Sequence, residues 1–338
     1  MTLPMRKPQS PPVTLTPRIL SLVAEICEKV GRWSGEGPVS PRLRRDNRIR
    51  TIQASLAIEN NSLSLDQVTA ILEGKRVLGS PREIQEVRNA IECYDRFSDW
   101  KAASVEGFLA AHGIMMRALV DDPGVFRHGG VGIYRGSQLV HMAPPADRVE
   151  HLTRDLFLWL ETTDHHPLIT SSVLHYEIEF IHPFSDGNGR MGRLWQSLAL
   201  ASWHAELAWL PVESLISERQ SEYYAALGAA DRLAEATPFV EFMLNAIHDA
   251  LEALPPSDQV SDQVSDQVKS LLRHLAAGEE VPGAELMQRL GLKHRPAFRK
   301  NYLNPALAQS WIEMTDPDSP RSPVQRYRLT QKGRRVKH

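Results

Sequence analysis

Apolar residues recur at helical spacing along most of the chain, and proline, glycine or asparagine marks the breaks between the runs. From Thr16 to about Trp33 the apolar positions include Ile19, Leu20, Leu22, Val23 and Ile26; Pro38 and Pro41 interrupt the pattern. A second helix is expected from about Arg42 to Ile58, stopping at Asn60-Asn61-Ser62, and a third over Leu65–Glu73 with Ser64 as N-cap and Gly74 as stop. Pro81–Trp100 reads as one long helix with Ile84, Val87, Ile91 and Tyr94 in register, followed by Val105–Leu119. Between Pro123 and Pro145 the chain turns rich in glycine and β-branched residues, which predicts a loop and a short hairpin near Val131–Tyr134 and Gln138–Met142. Helices are expected again at Asp147–Thr162, Leu168–Phe180, Gly189–Trp203, Ser217–Asp231 and Pro238–Leu254.

Pro255-Pro256 marks a boundary, and Ser-Asp-Gln-Val then occurs three times from Ser257 to Val268. A period of four suits a helical spacer; we read the repeat as a linker. Beyond it come three helical patterns (Val268–Ala277, Gly283–Leu290, Pro296–Asn304) and two alternating segments, Trp311–Met314 and Gln325–Leu329. Three helices and a two-stranded wing resemble a winged-helix module. Such a module docks its third helix in a DNA major groove or serves as a protein-docking or dimerisation piece.

The 338 residues are 42% hydrophobic and 24% charged, enough for an ordinary globular core. No run is long and apolar enough to span a bilayer. The opening stretch reads as an exposed Pro-rich leader, not a signal peptide. Two cysteines, Cys27 and Cys93, lack metal-ligand spacing, and a cytoplasmic protein is expected. Net charge is −2, but Gly291–His338 holds eleven Lys/Arg against three Asp/Glu, a local +8 that leaves −10 elsewhere. Arg321, Arg326, Arg328, Lys332, Arg334 and Arg335 would suit phosphate contacts.

Chemistry concentrates between Ile181 and Arg193. Gly187 and Gly189 flank Asn188 in a turn that feeds a helix, so backbone N–H groups and the helix N-terminus make an anion nest. Arg190 and Arg193, three apart, are neighbours on that helix and suit a polyphosphate. Asp186 is a hard oxygen ligand for Mg²⁺, and His182 takes up a proton near neutrality. These parts serve in-line attack of a hydroxyl on phosphorus. A Walker-type loop, with lysine after its glycines, is absent. His165, His166 and His175 do not gather on one helix face and read as surface or packing residues.

His182 to Arg193 resembles throughout the signature of the Fic (Fido) family, H-P-F-x-D-G-N-G-R-x-x-R. The resemblance implies transfer of AMP from ATP-Mg²⁺ to a hydroxyl of a target protein. His182 is then the general base and Asp186 the Mg²⁺ ligand. Ser185, Gly187, Asn188, Gly189, Arg190 and Arg193 hold the phosphates, and Phe184 anchors the loop. Relatives that phosphorylate carry lysine where Gly189 stands, which favours AMP transfer.

Upstream, Ser55-Leu56-Ala57-Ile58-Glu59-Asn60 resembles the family's inhibitory motif, Ser/Thr-x-x-x-Glu-Gly/Asn; Glu59 would pair with Arg193 where the γ-phosphate must go. Gln138, Leu139, Val140 and His141 fall in a hairpin that resembles the family's target-binding flap. Tyr223 is the candidate nucleotide contact, and Asp231 stands where many relatives have an amide. The expected fold is all-α: a Fic helical core with a small β-hairpin flap, plus a C-terminal winged-helix (α+β) domain. The expected division is 1–15 leader, 16–110 N-terminal helices, 111–254 catalytic core, 255–267 linker and 268–338 basic domain. The implied partners are ATP, a target protein with an exposed hydroxyl, DNA through the basic domain, and a second copy of the chain; no membrane is implied. Two other functions remain open here: a DNA-binding regulator that senses nucleotide through this fold, and removal of AMP with Glu59 orienting a water.

Overall fold

The computed structural model describes residues 10–35, 41–135, 138–254, 266–276, 278–292, 294–309, 311–316, 325–330 and 333–334, with the backbone alone for 35, 41–42, 133–135, 138–141 and 308. The chain divides into two compact units, Met1–Leu254 and Pro255–His338. In the first, α1 (Pro17–Gly35), α2 (Pro41–Ile58), α3 (Leu65–Leu72), α4 (Pro81–Asp95) and α5 (Val105–Met115) precede a hairpin of β1 (Gly132–Arg135) and β2 (Gln138–Met142). Six helices follow: α6 (Ala146–Thr162), α7 (Pro167–Ile181), α8 (Asn188–Trp203), α9 (Val212–Glu218), α10 (Gln220–Leu233) and α11 (Thr237–Glu252).

The helix starts follow local chemistry. Proline occupies the first turn of α4, α7 and α11, where its missing N–H costs nothing. Ser64 and Gln67 close a reciprocal capping box on α3. α7 is buried nearly all round, from Leu168 to Ile181, and packs along α8 at the centre of the core. Their close approach needs Gly192: a Cβ there would stand 2.6 Å from the His175 ring. α2 lies on α9, and α5 on α4 and α8.

Some boundaries differ from the sequence pattern. The long helix expected over 81–100 ends at Asp95; Arg96 leaves helical geometry at φ −97°, ψ 11°, and a 3₁₀ turn covers Phe97–Asp99. The single helix expected over 217–231 is two helices, because Arg219 breaks it at φ −111°, ψ 35°. The hairpin pairs Gly132 with Met142 and Arg135 with Gln138, its register shifting between Ile133 and Tyr134.

The second unit has helical segments at Asp266–Arg273, Gly283–Arg289 and, with a π-helical stretch in the middle, Arg295–Ala308. Its sheet has three strands, β3 (Val281–Pro282), β4 (Ile312–Met314) and β5 (Arg326–Leu329), in the order β3-β5-β4, where the sequence pattern suggested two. The missed strand, Val281–Pro282, is too short to show alternation. Leu271, Leu286, Phe298, Trp311 and Leu329 form the unit's own core. Most of the Ser-Asp-Gln-Val repeat, Arg321, Lys332 and Arg335 lie outside the described residues. Among the described residues no helix is long and apolar enough to cross a membrane.

Candidate active site

α7 ends on a strained residue. His182 takes the left-handed conformation (φ 51°, ψ 62°), which costs a side-chain-bearing residue about 1 kcal/mol, and Pro183 then prevents return to the helix. The turn is braced from inside. The Asn188 side chain accepts from the Phe184 N–H and donates to the Phe184 carbonyl, both at 2.9 Å. Its amide is thus spent on the loop, and what it offers a ligand is backbone. Gly187 sits at φ 87°, a conformation that strains any side-chain-bearing residue, and a Cβ on it would lie 2.6 Å from the sulfur of the buried Met116, which would have to shift. Phe184 is fully buried against Phe108 and the His112 ring, which stacks on it at 3.6 Å and 3°.

Two residues that the sequence pattern did not single out tie this loop down. The Arg127 N–H donates to Pro183 O, and its buried guanidinium donates to His182 O (2.6 Å), Ile181 O (3.2 Å), Gly129 O (2.7 Å) and Pro144 O (2.6 Å). One side chain therefore joins the His182 turn to both approaches of the hairpin. Burial lowers the Arg127 pKa. His112 bridges Asp186 O (3.0 Å) and Gly124 N (2.8 Å), and burial pushes its imidazole down to about 4. The loop carbonyls that both reach, at Ile181, His182 and Asp186, lie too far along the chain for a local motif to reveal them.

A cavity of about 870 Å³ opens above the turn, lined by His182, Ser185, Asp186, Gly187, Asn188, Gly189, Arg193 and Tyr223, with Glu59 and Glu179 also on its wall. His182 Nδ1 lies 3.3 Å from Glu179 O. Tyr223 is buried and donates to Glu179 Oε1 at 3.1 Å, while its oxygen meets His175 Nε2 at 3.2 Å. His175 is a core residue, its pKa pushed down to about 3 by burial.

Arg193 is almost wholly buried. Its Nε donates to Ser55 Oγ (3.0 Å), and Nη2 donates to Ser55 O (2.9 Å) and Glu59 Oε1 (2.7 Å). Burial opposes its charge, but Glu59 together with Tyr223 and Glu179 outweighs that, and its pKa lies above the ordinary value. Its Nη1 has no hydrogen-bond partner among the described residues. A Cβ on Gly189 would sit 2.5 Å from Glu59 Oε1, 3.0 Å from Nη1 and 3.1 Å from Glu179 Oε1, so two carboxylates and one unmet donor converge on the bare glycine. Asn60, at φ 67°, ends α2 and does not line the cavity.

Arg190, predicted to hold phosphate, does not line the cavity either. It is buried beside Asp186 Oδ1 (3.2 Å) and Glu86 (3.5 Å), with Nε lacking any hydrogen-bond partner among the described residues. Asp186 also accepts from its neighbour Gly187 N (2.6 Å) and faces the exposed Arg82 (3.4 Å). Among the described residues, no three His, Cys, Asp or Glu gather to hold a metal by themselves. The donor set fits a divalent ion that takes one carboxylate and completes its shell from phosphate and water. Gln138, Leu139, Val140 and His141 form β2, whose last residue, Met142, reaches the cavity wall.

In the second unit, Arg328 pairs with Glu313 and Glu280, and Arg326 donates to Glu280 O. Arg295, Arg299, Lys300 and Arg334 are exposed.

Comparison with known proteins fits this geometry. The Fic/DOC family model matches residues 102–200, and that of the "Filamentation induced by cAMP protein Fic-like, C-terminal domain" matches 266–330. Protein adenylyltransferase fic-1 of Caenorhabditis elegans is 30% identical over 214 residues, 60% of this chain and 40% of that protein. Protein adenylyltransferase Fic of Aedes aegypti is 27% identical over 223 residues, 62% and 42% of the two chains. The chain thus spans less than half the length of these curated relatives. A crystal structure of a Fic family protein from Desulfovibrio desulfuricans G20 is 60% identical, covers 96% of this chain and 99% of that one, and superposes with a TM-score of 0.73. A likeness of that identity over nearly the full length of both chains establishes that this protein belongs to the Fic family.

Proposed function

We propose that this chain is a protein adenylyltransferase held at rest by Glu59. The observation that carries the reading is one cavity joining His182, Asp186, the Gly187–Gly189 turn and a buried Arg193 whose Nη1 has no hydrogen-bond partner among the described residues. An unmet guanidinium N–H in a buried wall favours an anion. The backbone N–H groups at the start of α8 and Ser185 at the rim suit further phosphate oxygens.

In this reading a target hydroxyl lies beside His182, supported along β2 by strand addition. His182 donates Nδ1–H to Glu179 O, which leaves Nε2 to take the hydroxyl proton. The hydroxyl oxygen bonds to the α-phosphorus, the bond from that phosphorus to the bridging oxygen breaks, and pyrophosphate leaves. Asp186 would hold Mg²⁺, which would supply charge neutralisation to the triphosphate. Glu59 opposes all of this by occupying Arg193, so a triphosphate must displace it or bind out of line.

The test is incubation with α-labelled ATP and Mg²⁺. Glu59→Gly is expected to raise label transfer to protein at least tenfold over the parent, and His182→Ala in that background to abolish it. Equal labelling of the parent and Glu59→Gly proteins would remove the inhibitory assignment. Undiminished labelling in the His182→Ala protein would remove the base.

A further inference from the structure

We propose that His112 is a positioning residue for the nucleotide-metal site: it pins the Asp186–Gly187 peptide and thereby aims the Asp186 carboxylate. The inference rests on the adenylyltransferase reading above.

His112 lies in α5, remote in sequence from the loop, and is fully buried. Its Nδ1 accepts the Gly124 N–H, so that nitrogen carries no proton. Nε2 must therefore hold the ring's proton, and it points at Asp186 O. The tautomer follows from a partner that cannot change its role, since a backbone N–H only donates. Gly124 lies close against α5: it sits at φ 85°, and a Cβ there would stand 3.0 Å from Leu109 O and 3.3 Å from Gly113 Cα, so this approach suits glycine. The ring face is fixed by its stack on Phe184.

Both ends of one peptide group are therefore tied. The carbonyl of Asp186 accepts from His112, and the following N–H, of Gly187, donates to Asp186 Oδ1 at 2.6 Å. That peptide sets the direction of the Asp186 side chain and opens the phosphate-binding turn. Any buried imidazole needs partners for its two nitrogens, so the bonds alone do not set His112 apart; where its donor points does. Here the polar edge of the ring reaches the one carbonyl next to the carboxylate that would hold the metal. Groups that orient a metal-binding residue without touching the ion are worth about 10- to 100-fold in affinity or activity.

Three measurements on the full chain decide the matter. First, ¹⁵N-¹H NMR of the parent protein should show His112 with Nδ1 bare and Nε2 protonated; the opposite tautomer overturns the proposal. Second, ATP affinity is measured by calorimetry in the Glu59→Gly background, once with Mg²⁺ and once with EDTA. His112→Phe keeps the stack and loses both bonds; it should cut the Mg²⁺-dependent gain by about tenfold or more and leave affinity in EDTA within about twofold. Third, His112→Gln, whose amide still donates toward Asp186 O, should restore most of that gain. If His112→Phe weakens both affinities equally, or neither, the residue is only a core filler. Failure of the Glu59→Gly protein itself to bind ATP would defeat the adenylyltransferase reading instead, and the NMR result would then decide alone whether His112 pins the loop.

Discussion

Two buried arginines hold the site from different sides, and their partners differ in kind. Arg127 spends its guanidinium on four backbone carbonyls, with no carboxylate partner among the described residues. Arg193 meets a hydroxyl, a carbonyl and a carboxylate, and its Nη1 has no hydrogen-bond partner among the described residues. Carbonyls cannot leave without unfolding the loops that carry them. A carboxylate on a side chain 33% exposed can swing out and give its place to a phosphate. The first arginine is a fixture of the fold. The second is a socket, and the contrast separates what must be permanent from what must exchange.

The largest expected effect comes from breaking the fixture. Arg127→Leu leaves four carbonyls at one spot without their donor, three of them bonded at 2.7 Å or less. At about 1–3 kcal/mol for each buried group left unsatisfied, and with water reaching some of them, a loss of about 4–6 kcal/mol is expected in urea unfolding. Arg127→Lys should recover less than half, because one ammonium cannot span carbonyls on three segments. A loss under about 1 kcal/mol would mean that the hairpin and the His182 turn are held by something else.

The turn itself was legible because its chemistry is local. His182, Pro183, Gly187, Asn188 and Gly189 act through backbone conformation and a four-residue side-chain bond, all inside one window. The Ser55–Glu59 element was legible through its motif, and the structure places both residues on Arg193, 138 and 134 positions away. Nothing local marks Arg127 or His112. Arginine in a glycine-rich stretch and histidine on an apolar helix are ordinary until the fold brings carbonyls 55 and 74 residues distant onto them. Helix ends were misread where one residue leaves helical geometry without a glycine or proline to announce it, as at Arg96 and Arg219. Arg190 was expected in the cavity wall because its spacing from Arg193 puts the two side by side. Their side chains part, one to Glu86 and Asp186, the other to α2.

A smaller effect tests whether the socket behaves as one network. Ser55→Ala removes the acceptor of a charged donor, and a loss of about 1.5–3 kcal/mol is expected from the urea midpoint at unchanged m. Combined with Glu59→Gly, the loss should fall short of the sum by at least about 0.5 kcal/mol, since both residues act on Arg193. Combined with Arg127→Leu, with which Ser55 shares no partner, the losses should add. Additivity in the first pair would mean that the two contacts on Arg193 are independent.

The smallest effect concerns protonation, where the surroundings of the two arginines should differ: one includes a carboxyl that titrates and the other does not. Glu213, in α9, is buried near Arg193, and it accepts from Ser197 Oγ at 3.1 Å. Burial pushes its carboxyl from 4.5 up to about 7, against the opposing pull of Ser197, Arg193 and Thr51. A raised pKa means that the native state binds the proton more tightly than the unfolded chain. The stability this contributes is complete below about pH 4.5 and is lost as pH rises through 7. Glu213→Gln stays neutral throughout and escapes that loss. The stability of the variant relative to the parent should therefore climb between pH 4.5 and 7, by on the order of 1 kcal/mol, and level off above. The Arg127→Leu deficit, set by carbonyls that do not titrate, should stay level over the same range. Thermal melts of the three proteins across that range supply the check: a flat Glu213→Gln difference would mean that the carboxyl behind the socket is already ionised in the native protein. The socket would then be electrostatically as fixed as its counterpart.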